Sequence, residues 1–166
     1  DVETIRYDQL EDFFELAAES DEKYEYTVAW IDSMARGKGL GRGHFIRANH
    51  ATPGIRQLSA PRWQASINTD PPFSLVTRTS ARVFNFLYYR RLGRTPSKKL
   101  IHYEPFFFPL DKLLHWNRLY GPHGFHQYQC LVPLSDDGRS ALRELLERGV
   151  HGGVDCFLSV LKVFGR

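Results

Sequence analysis

The stretch that most limits what this chain can fold into runs from Tyr120 to Pro133. A Gly121-Pro122 turn empties into Phe125-His126-Gln127-Tyr128-Gln129-Cys130-Leu131-Val132, which alternates in the manner of a strand. Phe125, Gln127, Gln129 and Leu131 would share one face. Two amides inside an otherwise aromatic and aliphatic ribbon are unusual, because a buried amide needs partners for its donors and its acceptor. A second ribbon, Cys156 to Phe164, is apolar apart from Ser159 and one ammonium at Lys162. The expectation is that the two ribbons are sheet neighbours, with Gln127, Gln129 and Lys162 as the polar floor of a binding site.

The rest of the chain supplies strands and helices in alternation. Residues 8–20 read as an amphipathic helix capped by Asp8, with Leu10, Phe13, Phe14 and Ala17 inward. Tyr24 to Asp32 reads as a strand. The glycines from Gly37 to Gly43 invite a phosphate-loop reading, but neither G-x-G-x-x-G nor GK[ST] is present, so a turn between strands is expected. Residues 51–78, with Pro53, Pro61, Pro71 and Pro72, have the character of a lid or binding loop. A helix follows from Ser80 to Arg91 with Val83, Phe84, Leu87 and Tyr88 on its inner face, ended by Gly93. Leu100 to Glu104 is expected as a strand, Lys112 to Tyr120 as a helix, and Arg139 to Arg148 as a helix capped from Ser135, with Leu142, Leu145 and Leu146 inward. This pattern predicts an α+β fold: one domain, 1–166, with a mainly antiparallel sheet covered by helices on one side.

Composition closes several doors. A content of 42% hydrophobic and 25% charged residues is that of an ordinary globular domain, and no run of 18 apolar residues exists. The chain opens on Asp1 and stops just after a strong strand, as a piece of something larger would. Net charge is only +3, although Arg90, Arg91, Arg94, Lys98 and Lys99 crowd together. That cluster reads either as a site for phosphate or anionic lipid headgroups, or as cations favouring a helix C-terminus. Cys130 and Cys156 both fall in expected strands, where buried free thiols are the default. No histidine spacing suits a metal, and no nucleophile elbow or C-x-x-C occurs, so the chain carries no catalytic engine of its own.

Four residues keep two readings each. Lys162 is either a partly desolvated pocket ammonium or a strand-end lysine reaching water. Gln127 and Gln129 are pocket amides or solvated ones. Trp30 is ligand wall or core. Asn117-Arg118 is a further candidate.

Taken in order, Tyr26-Thr27-Val28-Ala29-Trp30-Ile31-Asp32, Phe108-Pro109-Leu110-Asp111, Trp116-Asn117-Arg118-Leu119-Tyr120-Gly121-Pro122, Gln127-Tyr128-Gln129 and Leu161-Lys162-Val163-Phe164-Gly165 resemble the substrate-binding (cap) domain of the decaprenylphosphoryl-ribose 2′-oxidase family, vanillyl-alcohol-oxidase-type flavoproteins. The resemblance implies a two-domain parent whose FAD-binding domain and C-terminal segment are not in these 166 residues. It implies hydride transfer from a secondary alcohol of a sugar or polyprenyl-phosphate sugar to FAD, with the isolated domain inactive and free of cofactor. Lys162 would be catalytic. Gln127, Gln129 and Trp30 would line the pocket, with Asn117, Arg118, Phe107 and Ser159 as further substrate-binding positions. Phe107 stands where the family has a tyrosine and Ser159 where it has an asparagine, which leaves the substrate's identity open. Expected partners are the sugar lipid, the flavin domain and a peripheral membrane contact, in a bacterial cytoplasmic or periplasmic, membrane-peripheral setting. The rival reading is a non-enzymatic module for single-stranded nucleic acid, which would need exposed sheet aromatics beside the basic cluster.

Overall fold

The computed structural model of the chain describes residues 1–52, 64–154, 156 and 158–164. Alternating aromatic and β-branched residues form three six-residue strands: β1 (Val2–Tyr7), then, after helix α1 (Leu10–Ser20), β2 (Tyr26–Ile31) and β3 (Gly43–Ala48). The next elements are β4 (Ala65–Ser66), α2 (Arg78–Arg90), β5 (Ser97–Lys99), α3 (Tyr103–Phe107), β6 (Leu113–Leu114), α4 (Asp136–His151) and β7 (Ser159–Leu161). The main sheet has the order β5-β1-β3-β2-β7, and every pairing in it is antiparallel. β4 and β6 make a separate parallel pair. The fold is therefore α+β with a mainly antiparallel sheet. No helix among the described residues is long and apolar enough to cross a membrane.

Register assigns the two faces. Ala29 lies across from Phe45, and Phe45 from Ile5, while Trp30 lies across from His44 and His44 from Arg6. The first set, with Tyr7 and Ile31, meets Phe13 and Ala17 of α1 in the core, and Leu146 of α4 packs against it. The second set lies under α2: Tyr88 stacks at 4.6 Å from Trp30, and the His44 ring meets Tyr88 and Tyr89. Helices thus lie on both sides of the sheet, where one covered side was expected. The alternation of Trp30 with Ala29 carries this information, because both neighbours are buried.

The glycine-rich joint is a turn between β2 and β3, as its sequence indicates. It is fastened by Arg42, whose guanidinium lies 2.7 Å from the Asp32 carboxylate. Gly43 admits no side chain, since a Cβ there would stand 2.0 Å from the Trp30 carbonyl oxygen. α1 begins with Gln9 at its cap, not Asp8: the Asp12 carboxylate accepts from the backbone amides of Asp8 and Gln9. On the same face as the core, Glu3 and Arg47 are paired at 2.6 Å beneath Glu19, Ser20 and Tyr24. Burial pushes the Glu3 carboxyl up, but the Arg47 guanidinium outweighs it and holds the group below the usual carboxylate range.

Several expected elements differ. α2 buries Ala81, Asn85 and Tyr89, leaving Val83 and Leu87 exposed. The strand placed at Leu100 to Glu104 forms three residues earlier as β5, where Glu3 attracts Lys98 across the pair. In place of a helix from Lys112 to Tyr120 come β6 and a 3-10 segment, Trp116–His123, entered through His115 at φ 56 and bent at Gly121 at φ 65. Leu145 of α4 is exposed while Leu142 is buried. Cys130 is exposed, Cys156 half-buried, and both are free thiols. Residues 53–63, the greater part of the stretch read as a lid, lie outside the described residues.

Candidate functional site

The last strand is held by three residue pairs to β2: Ile31 with Ser159, Trp30 with Val160 and Ala29 with Leu161. Leu161 and Val163 pack against the core. Their alternates, Val160, Lys162 and Phe164, are exposed. Alternation places Lys162 on the side of Val160, Trp30 and Val28. α2 covers Trp30 but leaves Val160 54% exposed, so a strip of this face stays open with one ammonium at its border. Lys162 itself is exposed, not desolvated as one reading of the sequence had it. It lies one residue past the end of β7, where the chain leaves the ladder.

Other predicted residues divide between this strip and elsewhere. Trp30 is buried, so it is core beneath Tyr88 and His44 and no open wall. Phe107, on α3, meets Tyr26 edge-on at 5.1 Å, and Tyr26 opens the same row of β2 that continues through Val28 to Trp30. Phe107 thus stands at the far end of the open strip from α2. Ser159 is on β7 but faces the other way; its hydroxyl lies 2.9 Å from the Cys156 sulfur. Arg118 is spent on the segment that follows β4, donating to the Ile67 carbonyl at 3.0 Å and pairing with Asp70. Asn117 beside it is exposed.

The polar floor does not assemble as expected. Residues 124–133 form no strand, and Gln127 and Gln129 are exposed. β7 ends the sheet, and no strand among the described residues is laid along its outer edge, so the alternation at 125–132 reports amphipathic character without a partner. Two concavities among the described residues do not include any predicted site residue. One, of about 440 Å³, lies between α1 and α4 and is lined by Glu11, Phe14, Glu15, Arg139 and Arg143. The other, of about 300 Å³, is lined by Gln64, Leu110, Leu113, His115 and Trp116.

Sequence reasoning passed over Tyr26 and His44. Tyr26 was legible, since it shares the parity of Trp30. His44 was not, because a lone strand histidine has no signature. It is fully buried, and its Nε2 lies 3.0 Å from the Tyr89 carbonyl, which only accepts. Nε2 therefore carries the proton and donates, leaving Nδ1 bare and without a partner. Burial pushes the ring's pKa from the usual 6.5 down to about 4.

Comparison with known proteins adds a lineage to this geometry. No family model matches the chain. A relative does: decaprenylphosphoryl-beta-D-ribose oxidase of Mycolicibacterium smegmatis is 31% identical over 159 residues, covering 88% of this chain and 33% of the oxidase. The chain resembles a part of that oxidase. It spans about a third of the oxidase's length, as a partial (cap) domain would, and the likeness extends well beyond the short motifs that first suggested this family. The oxidase's name speaks of a sugar carried on a polyprenyl phosphate; that substrate belongs to the oxidase.

Proposed function

We propose that this chain is the substrate-binding part of an FAD-linked oxidoreductase that oxidises a secondary alcohol of a sugar, or of a sugar on a polyprenyl phosphate. The observation that carries the reading is Lys162, standing exposed at the border of the sheet strip that α2 leaves open. That strip is apolar (Val28, Val160) and bounded by an ammonium, which suits a planar ring system and an oxygen-rich ligand lying together against it. On this reading the residues that would hold the cofactor are assigned to another part of the parent enzyme.

A bound flavin supplies the hydride acceptor. This chain's residues do the positioning. Lys162 donates to the alcohol oxygen or to a sugar-phosphate oxygen, fixing which carbon faces the cofactor. The hydroxyl proton leaves to solvent, which reaches the strip at its exposed border. Phe107 and Tyr26 close the far end of the strip. Gln127 and Gln129 reach the ligand only if residues 124–133 gain a partner in the assembled enzyme. Less supports the nucleic-acid alternative: of the aromatics on these strands Tyr7, Trp30 and Phe45 are buried and Tyr26 is half-buried.

Calorimetric titration of the chain with a polyprenyl-phosphate pentose tests this. The Lys162→Ala variant is expected to bind about tenfold more weakly, the loss of one charge-assisted hydrogen bond. Lys162→Arg should stay within about threefold of the parent. Equal affinity in all three proteins, or no heat at all, would remove Lys162 from the reading. The purified chain is expected to show no flavin absorbance near about 450 nm.

A further inference from the structure

We propose that the outer face of α2 is a docking surface for an anionic lipid bilayer. The proposal is independent of the substrate-binding reading. A helix on the surface of a sheet ordinarily turns its apolar stripe inward and its charges outward. α2 presents apolar groups on both sides. Ala81, Asn85 and Tyr89 face the sheet, while Val83, Phe86 and Leu87 point away from it, 52%, 42% and 61% exposed. The spacing of 83, 86 and 87 makes them one ridge.

The charges around the ridge have one sign. Between Asp70 and Glu104 the sequence holds seven cations and no acid, in a chain whose net charge is only +3. Arg82, Arg90, Arg91 and Arg94 are all exposed. The Arg90 guanidinium lies 4.3 Å over the Phe86 ring, so this cation sits on the ridge itself. Arg91 is held over Tyr88 at 3.7 Å. Some of this charge is answered from the neighbouring strand and turn: Lys98 pairs with Glu3 at 3.3 Å, and Arg94 comes within 4.0 Å of Asp8.

Four candidate occupants differ in chemistry. The rest of a longer parent would meet the open strip beside Lys162, on the sheet itself, and the ridge points away from the sheet. A second copy would bring the same cations face to face, which like-charge repulsion opposes. An acidic protein would need a shaped counter-surface, and this ridge is convex, with neither of the two concavities described above bordering it. A bilayer of anionic lipids deforms around a convex apolar ridge and offers phosphates to the arginines beside it. With only three apolar side chains available, binding depends on the arginines and falls with added salt.

Sedimentation with phosphatidylglycerol–phosphatidylcholine vesicles, set against pure phosphatidylcholine, reads this out for the whole chain. Expected results are binding to the anionic vesicles alone and loss of more than about tenfold in Arg82→Glu/Arg90→Glu. Phe86→Ser/Leu87→Ser should also release the chain while its circular dichroism stays unchanged, and Arg82→Lys/Arg90→Lys should retain binding. Equal binding to both vesicles, or none, overturns the proposal. So does anionic binding that survives both the charge and the apolar variants. A dimer in light scattering that Phe86→Ser/Leu87→Ser dissociates would make a second copy the occupant instead.

Discussion

His44 is the residue whose environment has the plainest measurable consequence. Its pKa is about 4 in the folded chain against 6.5 when free, so the unfolded chain binds the extra proton first. Stability contributed by the neutral ring is complete above about pH 6.5 and declines as pH falls toward 4, by about 3 kcal/mol in all. Urea titrations across that range should show the decline, and His44→Gln should flatten it. Glu3 acts in the same direction further down. Its carboxyl is held below the usual range, so its contribution is present above the unfolded pKa and disappears as acid protonates it. Arg47→Ala leaves that carboxylate buried with less than its full set of partners, and should cost on the order of 3 kcal/mol in the same titrations. Lys162 contrasts with both. It is exposed, so Lys162→Ala should leave stability within about 0.5 kcal/mol, and any effect on ligand affinity then belongs to chemistry and not to folding.

Elements differ in how firmly they are set. β1, β3 and β2 are paired along six residues each, whereas β7 is held by three pairs at one edge. Hydrogen exchange should therefore be slowest at β3, and fastest within the sheet at β5 and β7. Gly43→Ala, which forces a methyl group against the Trp30 carbonyl, should cost about 3 kcal/mol and lower the melting temperature without changing the slope of denaturant unfolding. What the sequence made legible follows the same division. α1, β2, the glycine joint and α4 were readable because their periodicity and caps are local. The inner face of α2 was misjudged because both of its faces carry large apolar side chains, and periodicity alone does not say which one meets the sheet. The ribbon at 125–132 was misjudged because alternation says which residues could share a face, not whether the segment joins a sheet, and the outer edge of β7 stays without it among the described residues. Lys162 was legible as an isolated ammonium in an apolar run; its exposure and the open ground beside it come from where α2 ends, which no local pattern shows.

Across the molecule, the two margins of the sheet are unlike. β5 ends the sheet with Ser97-Lys98-Lys99, and β7 ends it with Ser159-Val160-Leu161. Two ammonium groups on a three-residue margin discourage another chain from adding there. The opposite margin carries no charge within the strand. Strand exchange or fibril growth at high concentration would therefore be polar, recruiting new chains beside Val160 and terminating at Lys98. A lysine grafted at position 160 should suppress such growth, turning a one-ended template into a capped one.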